Sequence, residues 1–370
     1  MTNRAAALAT RYRGPLALLA VLVVGWLVAG AVDATTVTIL VLALYYSIGG
    51  LSFNFLYGSL GIFSLAQPVF VAVGGYTSIY LYNTYGISPW LSLFIAPVVA
   101  AIIALPIALV ATRIGGGAVL TALVTLIVAE AATPLLIAIK PLGGAIGLYA
   151  KSPPNPTFWD MQFANGADFV KILLVINVLL IGFWMWWRHS KYGLFTTAVK
   201  DAPEAAASVG VANARIRLSV FLVAAMLAAP AGVVYAQYNL LTSPDLFLGA
   251  TAMFQFIVVA LVGGAARPWG ALVGSLIITW LSQEVSNWSG GNAGAAPLTF
   301  AVIFVIMALI VPRGLSGTWE RIVERRRPKV SASLGPIAAG RSAAPGDGPG
   351  AAARREADGE GVTSPRITAT

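Results

Sequence analysis

The sequence has no cysteine and a single histidine among its 370 residues. The first absence excludes a disulfide framework and any thiolate metal site. The second removes a histidine-based metal cluster or catalytic triad from within this chain. Charge is scarce as well. Asp, Glu, Lys and Arg make up 10% of the residues, where a soluble domain carries about 25%. There is no Gly-Lys-Ser/Thr loop to cradle a nucleotide phosphate, and no period-two alternation of the kind that marks membrane strands. What abounds is apolar, at 58% of residues with a mean hydropathy of +0.83. Such a chain dissolves mainly in lipid. The fold class expected is therefore an all-α, polytopic membrane helical bundle. The net charge of +9 then reads as the basic excess of cytoplasmic loops, not as nucleic-acid binding.

A spanning helix needs roughly 20 mostly apolar residues. About ten segments meet that ruler: Pro15–Val32, Thr36–Tyr57, Ile62–Tyr82, Pro89–Thr112, Ala118–Ile139, Asp168–Trp187, Ile216–Tyr238, Gly249–Val262, Pro268–Glu284 and Pro297–Val311. Several are short or rich in Gly and Pro, which widens the range to between eight and eleven. The first follows Arg4, Arg11 and Arg13 without a small-x-small cleavage site, and reads as a retained helix. With the N-terminus inside, the inner loops collect Arg113, Arg188, Lys191, Lys200, Arg215, Arg217, Arg267 and Arg313, while the outer ones hold Lys140, Lys151 and Lys171. This asymmetry favours an even number of spans and two cytoplasmic termini. His189 and the neighbouring tryptophans then lie at an interface. The organisation expected is a cytoplasmic segment 1–14, a transmembrane region 15–312 with an external Gly/Pro-rich loop 140–167, and a basic cytoplasmic tail 313–370 without apolar periodicity. The tail opens on "ERRRPK", which suits anionic lipid or simply a solvated stop.

One stretch between apolar runs is polar and helical in character: "KDAPEAAASVG", Lys200 to Gly210. Asp201 has N-cap chemistry, and Glu204 follows at the capping-box spacing. Pro203 falls in the first turn, where its missing N–H costs little. Ala205, Ala206 and Ala207 are strong helix formers, and Gly210 suits a left-handed C′ position. Two turns are too short to span and too polar to lie in lipid. The unit is either a narrow ridge made to enter a cleft of another protein or a plain connector.

The spacing Glu-Ala-Ala, three residues, Gly resembles the cytoplasmic loop of ABC importer permeases, although the Leu-Pro that often ends that loop is absent. Upstream, "LSFNFLYGSLGIFSLAQPVFVAVGGYTS" resembles the first signature of the permeases that import branched-chain amino acids. Asn54, Gly58, Gly61, Ser64, Leu65, Phe70, Gly74 and Tyr76 match, while Ala66, Pro68 and Gly75 depart from it. "GGGAVLTALVTLIVAE" keeps that family's Thr125, Leu126 and Glu130 but lacks its Tyr-Phe pair. "GGAIGL", "PPNPTFW" and "SKYGLFTTAVKDAPEAAASVGV" are similar to loops of the M-type member, and "ALVGGAARPWGALVGS" is similar to a later segment. The resemblance runs from about Leu40 to Pro312. It implies a permease subunit in a bacterial inner membrane, not an enzyme and without a cofactor of its own. It also implies two ABC ATPase subunits that consume the ATP, a second, non-identical permease subunit and an external substrate-binding protein. The resemblance gives ATPase docking to Asp201, Glu204, Ala205, Ala206 and Gly210. The substrate class is branched-chain amino acids, with urea and short amides open because related permeases share the fold.

Helices that break expose backbone groups only where they face a cavity. Gly49-Gly50, Gly58, Gly61 and Gly74-Gly75 are candidates for such breaks. Asn54, Ser64, Gln67, Gly74, Thr125 and Gln255 are the groups expected to line a path or to pack helices closely. Glu130 is the acid deepest in an expected span. It is either a substrate or gating contact or a hydrogen-bonded packing residue near a helix end. A secondary transporter driven by an ion gradient is the alternative class. The scarcity of intramembrane acids and the short polar helix weigh against it.

Overall fold

The computed structural model describes residues 21–30, 32–113, 117–155, 157–265 and 267–288, together with 298 and 302. Its helices are α1 (Val21–Gly30), α2 (Ala34–Leu60), α3 (Gln67–Tyr85), α4 (Pro89–Arg113), α5 (Gly117–Ala138), α6 (Gly166–His189), α7 (Lys191–Asp201), α8 (Pro203–Ser208), α9 (Asn213–Asn239), α10 (Pro244–Phe247), α11 (Ala250–Gly264) and α12 (Gly270–Trp288). Among the described residues six helical stretches are long and apolar enough to cross a membrane: α2, α4, α5, α6, α9 and the α10–α11 stretch. α3 is not among them, because Gln67, Thr77, Ser78, Asn83 and Thr84 lower its hydropathy. The segment Pro297–Val311 apart from 298 and 302, the beginning of Pro15–Val32 and the tail 313–370 lie outside the described residues.

Local chemistry sets the helix ends. Asp33 caps α2 by accepting from the Thr36 hydroxyl at 2.7 Å and the Thr36 N–H at 3.4 Å. Gly61, at φ +69°, ends it with its N–H on the Tyr57 carbonyl. The chain then runs non-helically through Ala66. The segment expected to begin at Ile62 therefore begins at Gln67. Pro68 in the first turn lacks the N–H an interior helical residue would need, so it suits this later start. α2 itself is continuous through Gly49 and Gly50, where a break was expected. A Cβ at Gly49 would strike the Phe256 ring, and one at Gly50 would lie 3.2 Å from Val259, so these glycines admit α11.

α2, α3 and α9 form the centre. Gly74 of α3 lies against the Ala229 carbonyl, and Gly232 of α9 against the Val71 carbonyl, so the two helices meet backbone to backbone. α4 approaches α9 through Ala96, Ala100, Ala104 and Ala108, all fully buried at four-residue spacing. Buried polar groups are tied across helices. Ser47 donates to Asn177 at 2.6 Å, Asn177 to the Leu44 carbonyl at 3.1 Å, and Ser52 to the Ala224 carbonyl at 2.7 Å. α4 and α5 lie at the edge, with most of their residues left bare, whereas α2 is largely buried.

The loop 140–167, described except for residue 156, makes its own contacts. Its two-residue strand β1 (Leu148–Tyr149) pairs antiparallel with β2 (Leu241–Thr242). Asp160 closes a capping box with Thr157 and accepts from the Tyr82 hydroxyl at 2.9 Å. The Thr157 hydroxyl, then its N–H, hold that carboxyl below the usual carboxylate range. Asn83 donates to the Tyr149 carbonyl, and Trp90 to the Phe158 carbonyl. All these contacts lie at one end of the bundle. At the other end Lys200 reaches the Gly58 carbonyl at 2.9 Å. Loop 140–167 and the Lys200 segment thus lie at opposite ends.

Candidate functional site

At the Lys200 end, α7 and α8 form a small two-helix unit. Ser190 opens α7 by accepting from the Gly193 N–H and donating to the Trp187 carbonyl at 2.7 Å. Gly193, Thr196 and Val199 recur every three residues and are buried, which turns Tyr192, Leu194, Phe195 and Ala198 outward. Asp201 does not cap α8. It is the last residue of α7, and Ala202 stands at the N-cap without a side-chain bond. The capping box expected there is absent because α7 runs on to Asp201, which leaves only Ala202 between the helices. Asn213 supplies the brace instead, donating to the Pro203 carbonyl at 2.7 Å.

The far end of α8 matches expectation. Gly210 takes φ +87°, its N–H bonds the Ala207 carbonyl, and the Val211 N–H bonds the Ala206 carbonyl. This double bond pattern is a Schellman motif, and it satisfies the last carbonyls of a short helix. Ala206 is the buried anchor, whereas Asp201, Glu204, Ala205 and Gly210 face outward. Next to Gly210 in the chain stands Val209, 79% exposed, and on α7 Leu194 is exposed to 69%. Sequence reasoning missed this apolar extension of the ridge. The three-residue spacing of Gly193, Thr196 and Val199 was the signal that would have revealed it.

The α7–α8 unit meets the non-helical connection between α2 and α3. Lys200 lies at the α2 terminus beside Gly61, and from Gly61 to Ala66 the chain passes non-helically under α5. The Thr125 hydroxyl accepts the Leu65 N–H at 3.0 Å and lies 3.0 Å from the Thr121 and Ala122 carbonyls. Ser64 folds back to accept from the Ala66 N–H at 3.3 Å. Gln67 is 1% exposed, and neither amide atom has a partner among the described residues. A buried amide without partners is costly, so Gln67 is the polar group here with the most to gain from a further hydrogen bond.

Three expected residues thus converge: Ser64, Gln67 and Thr125. Asn54 sits apart, donating weakly to the Ala260 and Gly264 carbonyls at 3.5 and 3.4 Å. Gln255 is half-buried and hydrogen-bonds Tyr46. Gly74 is a helix-crossing position, and Glu130 is exposed on the outer face of α5. A separate cavity of about 420 Å³ between α3, α4 and α5 is lined by Val73, Tyr76, Tyr80, Ile103 and Leu136 and contains none of the expected residues. No group of three or more His, Cys, Asp or Glu residues suited to a metal ion occurs among the described residues.

The Thr125 contact makes a measurable prediction. Thr125→Val leaves the Leu65 N–H without its acceptor, at a cost of about 1–3 kcal/mol. The protein in detergent should unfold several degrees lower, and Thr125→Ser should restore the lost stability. Equal melting of all three proteins would remove the role given to this hydroxyl.

Comparison with known proteins places these elements in context. A family model described as branched-chain amino acid transport system / permease component matches residues 35–311. The chain is similar to the high-affinity branched-chain amino acid transport system permease protein LivM of Escherichia coli, with 26% identity over 81% of this chain and 74% of the relative. It is also similar to the probable branched-chain amino acid transport permease protein LivH of Methanocaldococcus jannaschii, with 26% identity over 70% of this chain and 84% of the relative. The fructose import permease protein FruF of Bifidobacterium longum matches at 26% identity over 61% of this chain and 63% of the relative. No solved structure matches.

Proposed function

The chain belongs to the branched-chain amino acid transport permease family, and from that premise we propose that it forms the membrane path of an ATP-driven ABC importer. The cargo is a branched-chain amino acid, or a related small amino acid or amide. Two separate ATPase subunits hydrolyse the nucleotide, a second, non-identical permease completes the path, and an external binding protein delivers the substrate. The complex sits in a bacterial inner membrane, with both termini of this chain in the cytoplasm and lipid around it.

The observation that carries this reading is the braced, outward-facing ridge of α7 and α8. It is anchored by Ala206, held to α9 through Asn213 and Pro203, and held to α2 through Lys200 and Gly58. A ridge fastened at two points moves as a unit with whatever grips it. Closure of the ATPase pair on ATP would drag α8, and Lys200 would pass that motion to the end of α2. The Gly61–Ala66 turn beside it is the segment free of helical hydrogen bonds, and so the easiest to rearrange. Ser64, Gln67 and the Thr125 hydroxyl would then meet the passing polar end of the substrate. ATP biases the switch only by its different affinity for the two arrangements.

Reconstituted vesicles provide the test. Leucine should accumulate only with ATP, the binding protein and the partner subunits all present. Uptake that follows an imposed proton gradient without nucleotide would replace this reading with an ion-gradient transporter. ATP-driven uptake of fructose but not leucine would keep the mechanism and change the cargo.

A further inference from the structure

At the end of the bundle that carries loop 140–167, a cavity of about 900 Å³ opens between α1, α4 and α6. Five aromatic rings wall it: Trp26, Trp90, Phe94, Phe158 and Phe163. The chain's own bonds hold this wall in place. Trp90 donates its ring N–H to the Phe158 carbonyl at 2.8 Å, and the two rings stack 4.9 Å apart. Phe163 packs on Phe158 in turn at 5.9 Å. Paired tryptophans at the end of a membrane bundle mark the level of the lipid–water boundary.

α6 gives the cavity its polarity. Asp168, Lys171, Ile172, Val175, Ile176 and Leu179 all line it, and steps of three and one place them on a single helical face. The two charged residues come first, and only apolar ones follow. From Asp168 to Leu179 the helix rises about 17 Å, close to half of the roughly 30 Å hydrocarbon layer. A charged pair is thus followed by one leaflet's depth of apolar groove. The cavity also reaches the bare side of α4 at Phe94, where Leu91, Val98 and Ile102 are exposed as well.

Lys171 lies 2.7 Å from one Asp168 carboxylate oxygen and 5.4 Å from the centre of the Trp26 ring. The other polar residues of the lining are engaged close by in the chain: Thr157 by Asp160, Gln162 by Lys151 and Ser152, and Asn165 by the Ala167 N–H. The ion pair is partly exposed. Its ammonium has three donors and its carboxylate two oxygens, so the single bond between them leaves both able to take a further partner.

We propose that this cavity holds one phospholipid with an amine-bearing zwitterionic headgroup, its phosphate on Lys171, its ammonium on Asp168 and an acyl chain along the α6 groove. Charge selects the headgroup. An anionic lipid without an ammonium would bring its phosphate beside the Asp168 carboxylate with nothing to offset the repulsion. A free amino acid carries the same two charges, but it has no chain to fill the apolar groove below them. The site requires only that the bundle lies in lipid, so it stands independently of the importer reading.

Phosphatidylethanolamine with a diazirine in one acyl chain tests the site on the full chain in vesicles. Irradiation should place adducts on residues 172–179 of α6, and adducts at Ile102 on the bare face of α4 give the reference for unselective lipid contact. The ratio of α6 to Ile102 adducts should be about tenfold higher than with phosphatidylglycerol carrying the same chain, the factor expected of one charge-assisted hydrogen bond. Lys171→Glu should remove this excess, and Lys171→Arg should keep it. Asp168→Asn should abolish the preference between the two lipids, which a merely structural role of the carboxylate would not do. Because each variant is read against its own Ile102 labelling, a loss of folded chain does not mimic a loss of the site. Equal ratios for the two lipids on the parent chain, a ratio unchanged by Lys171→Glu, or displacement of the lipid by excess leucine would each overturn the proposal.

Discussion

Replacing Glu204 with Lys, or Val209 with Asp, is expected to lower ATP-driven uptake at least tenfold while the chain still accumulates in the membrane. Both side chains point away from their own subunit. Val209 is 79% exposed, and Glu204 is exposed with no ion pair among the described residues. Surface changes of this kind alter folding stability by about 0.5 kcal/mol or less. In a docked interface the same positions behave differently. A central contact contributes about 2 kcal/mol or more, and a charge placed against an apolar or like-charged surface adds several kcal/mol of repulsion and desolvation. At 1.4 kcal/mol per factor of ten, that is enough to detach the ATPase. Hydrolysis stimulated by the binding protein should fall in parallel with uptake. Ala206→Leu makes the useful contrast, because it overfills the buried anchor and should reduce the amount of folded chain as well. Uptake within twofold of the parent for both exposed variants would leave the ridge without a docking role.

What the sequence made legible divides by the kind of physics involved. Long apolar runs announced α2, α4, α5, α6 and α9, since each must satisfy its own backbone in lipid. Gly210 announced the end of α8, because a left-handed residue there has one cheap solution. The errors came where tertiary contacts decide between local options. Asp201 has N-cap chemistry, yet α7 continues through it and Asn213 braces α8 from across the turn. Gly49 and Gly50 looked like a break, yet helices 200 residues apart in sequence close over them, through Phe256 and Val259. The non-helical stretch 61–66 links α2 to α3, beginning at a left-handed glycine and ending just before Pro68 in the first turn of α3. Thr125 and Leu65 show the same limit. Each residue type was visible as polar or apolar, but the bond between them joins two helices and has no local signature.

The second large effect is expected at the crossing of α3 and α9. Gly74→Val and Gly232→Val should each prevent the chain from accumulating as a monodisperse protein in detergent. A Cβ at Gly74 would collide with the Ala229 carbonyl, and one at Gly232 with the Val71 carbonyl. The obstacle in both cases is backbone inside a continuous helix, which no rotamer change can clear, so α3 and α9 must separate. Their contact is the most extensive between helices among the described residues, and separation opens the centre of the bundle at a cost above the 1–3 kcal/mol typical of an overpacked core. Gly49→Ala calibrates the effect, since there the collision is with the Phe256 ring, a side chain with room to rotate. That variant should fold with reduced stability. The comparison also decides what Gly74 does. As a lining residue of the path it would tolerate valine in folding and fail only in uptake. As a helix-crossing residue it fails at assembly, before any substrate is involved, and Gly232→Val fails with it.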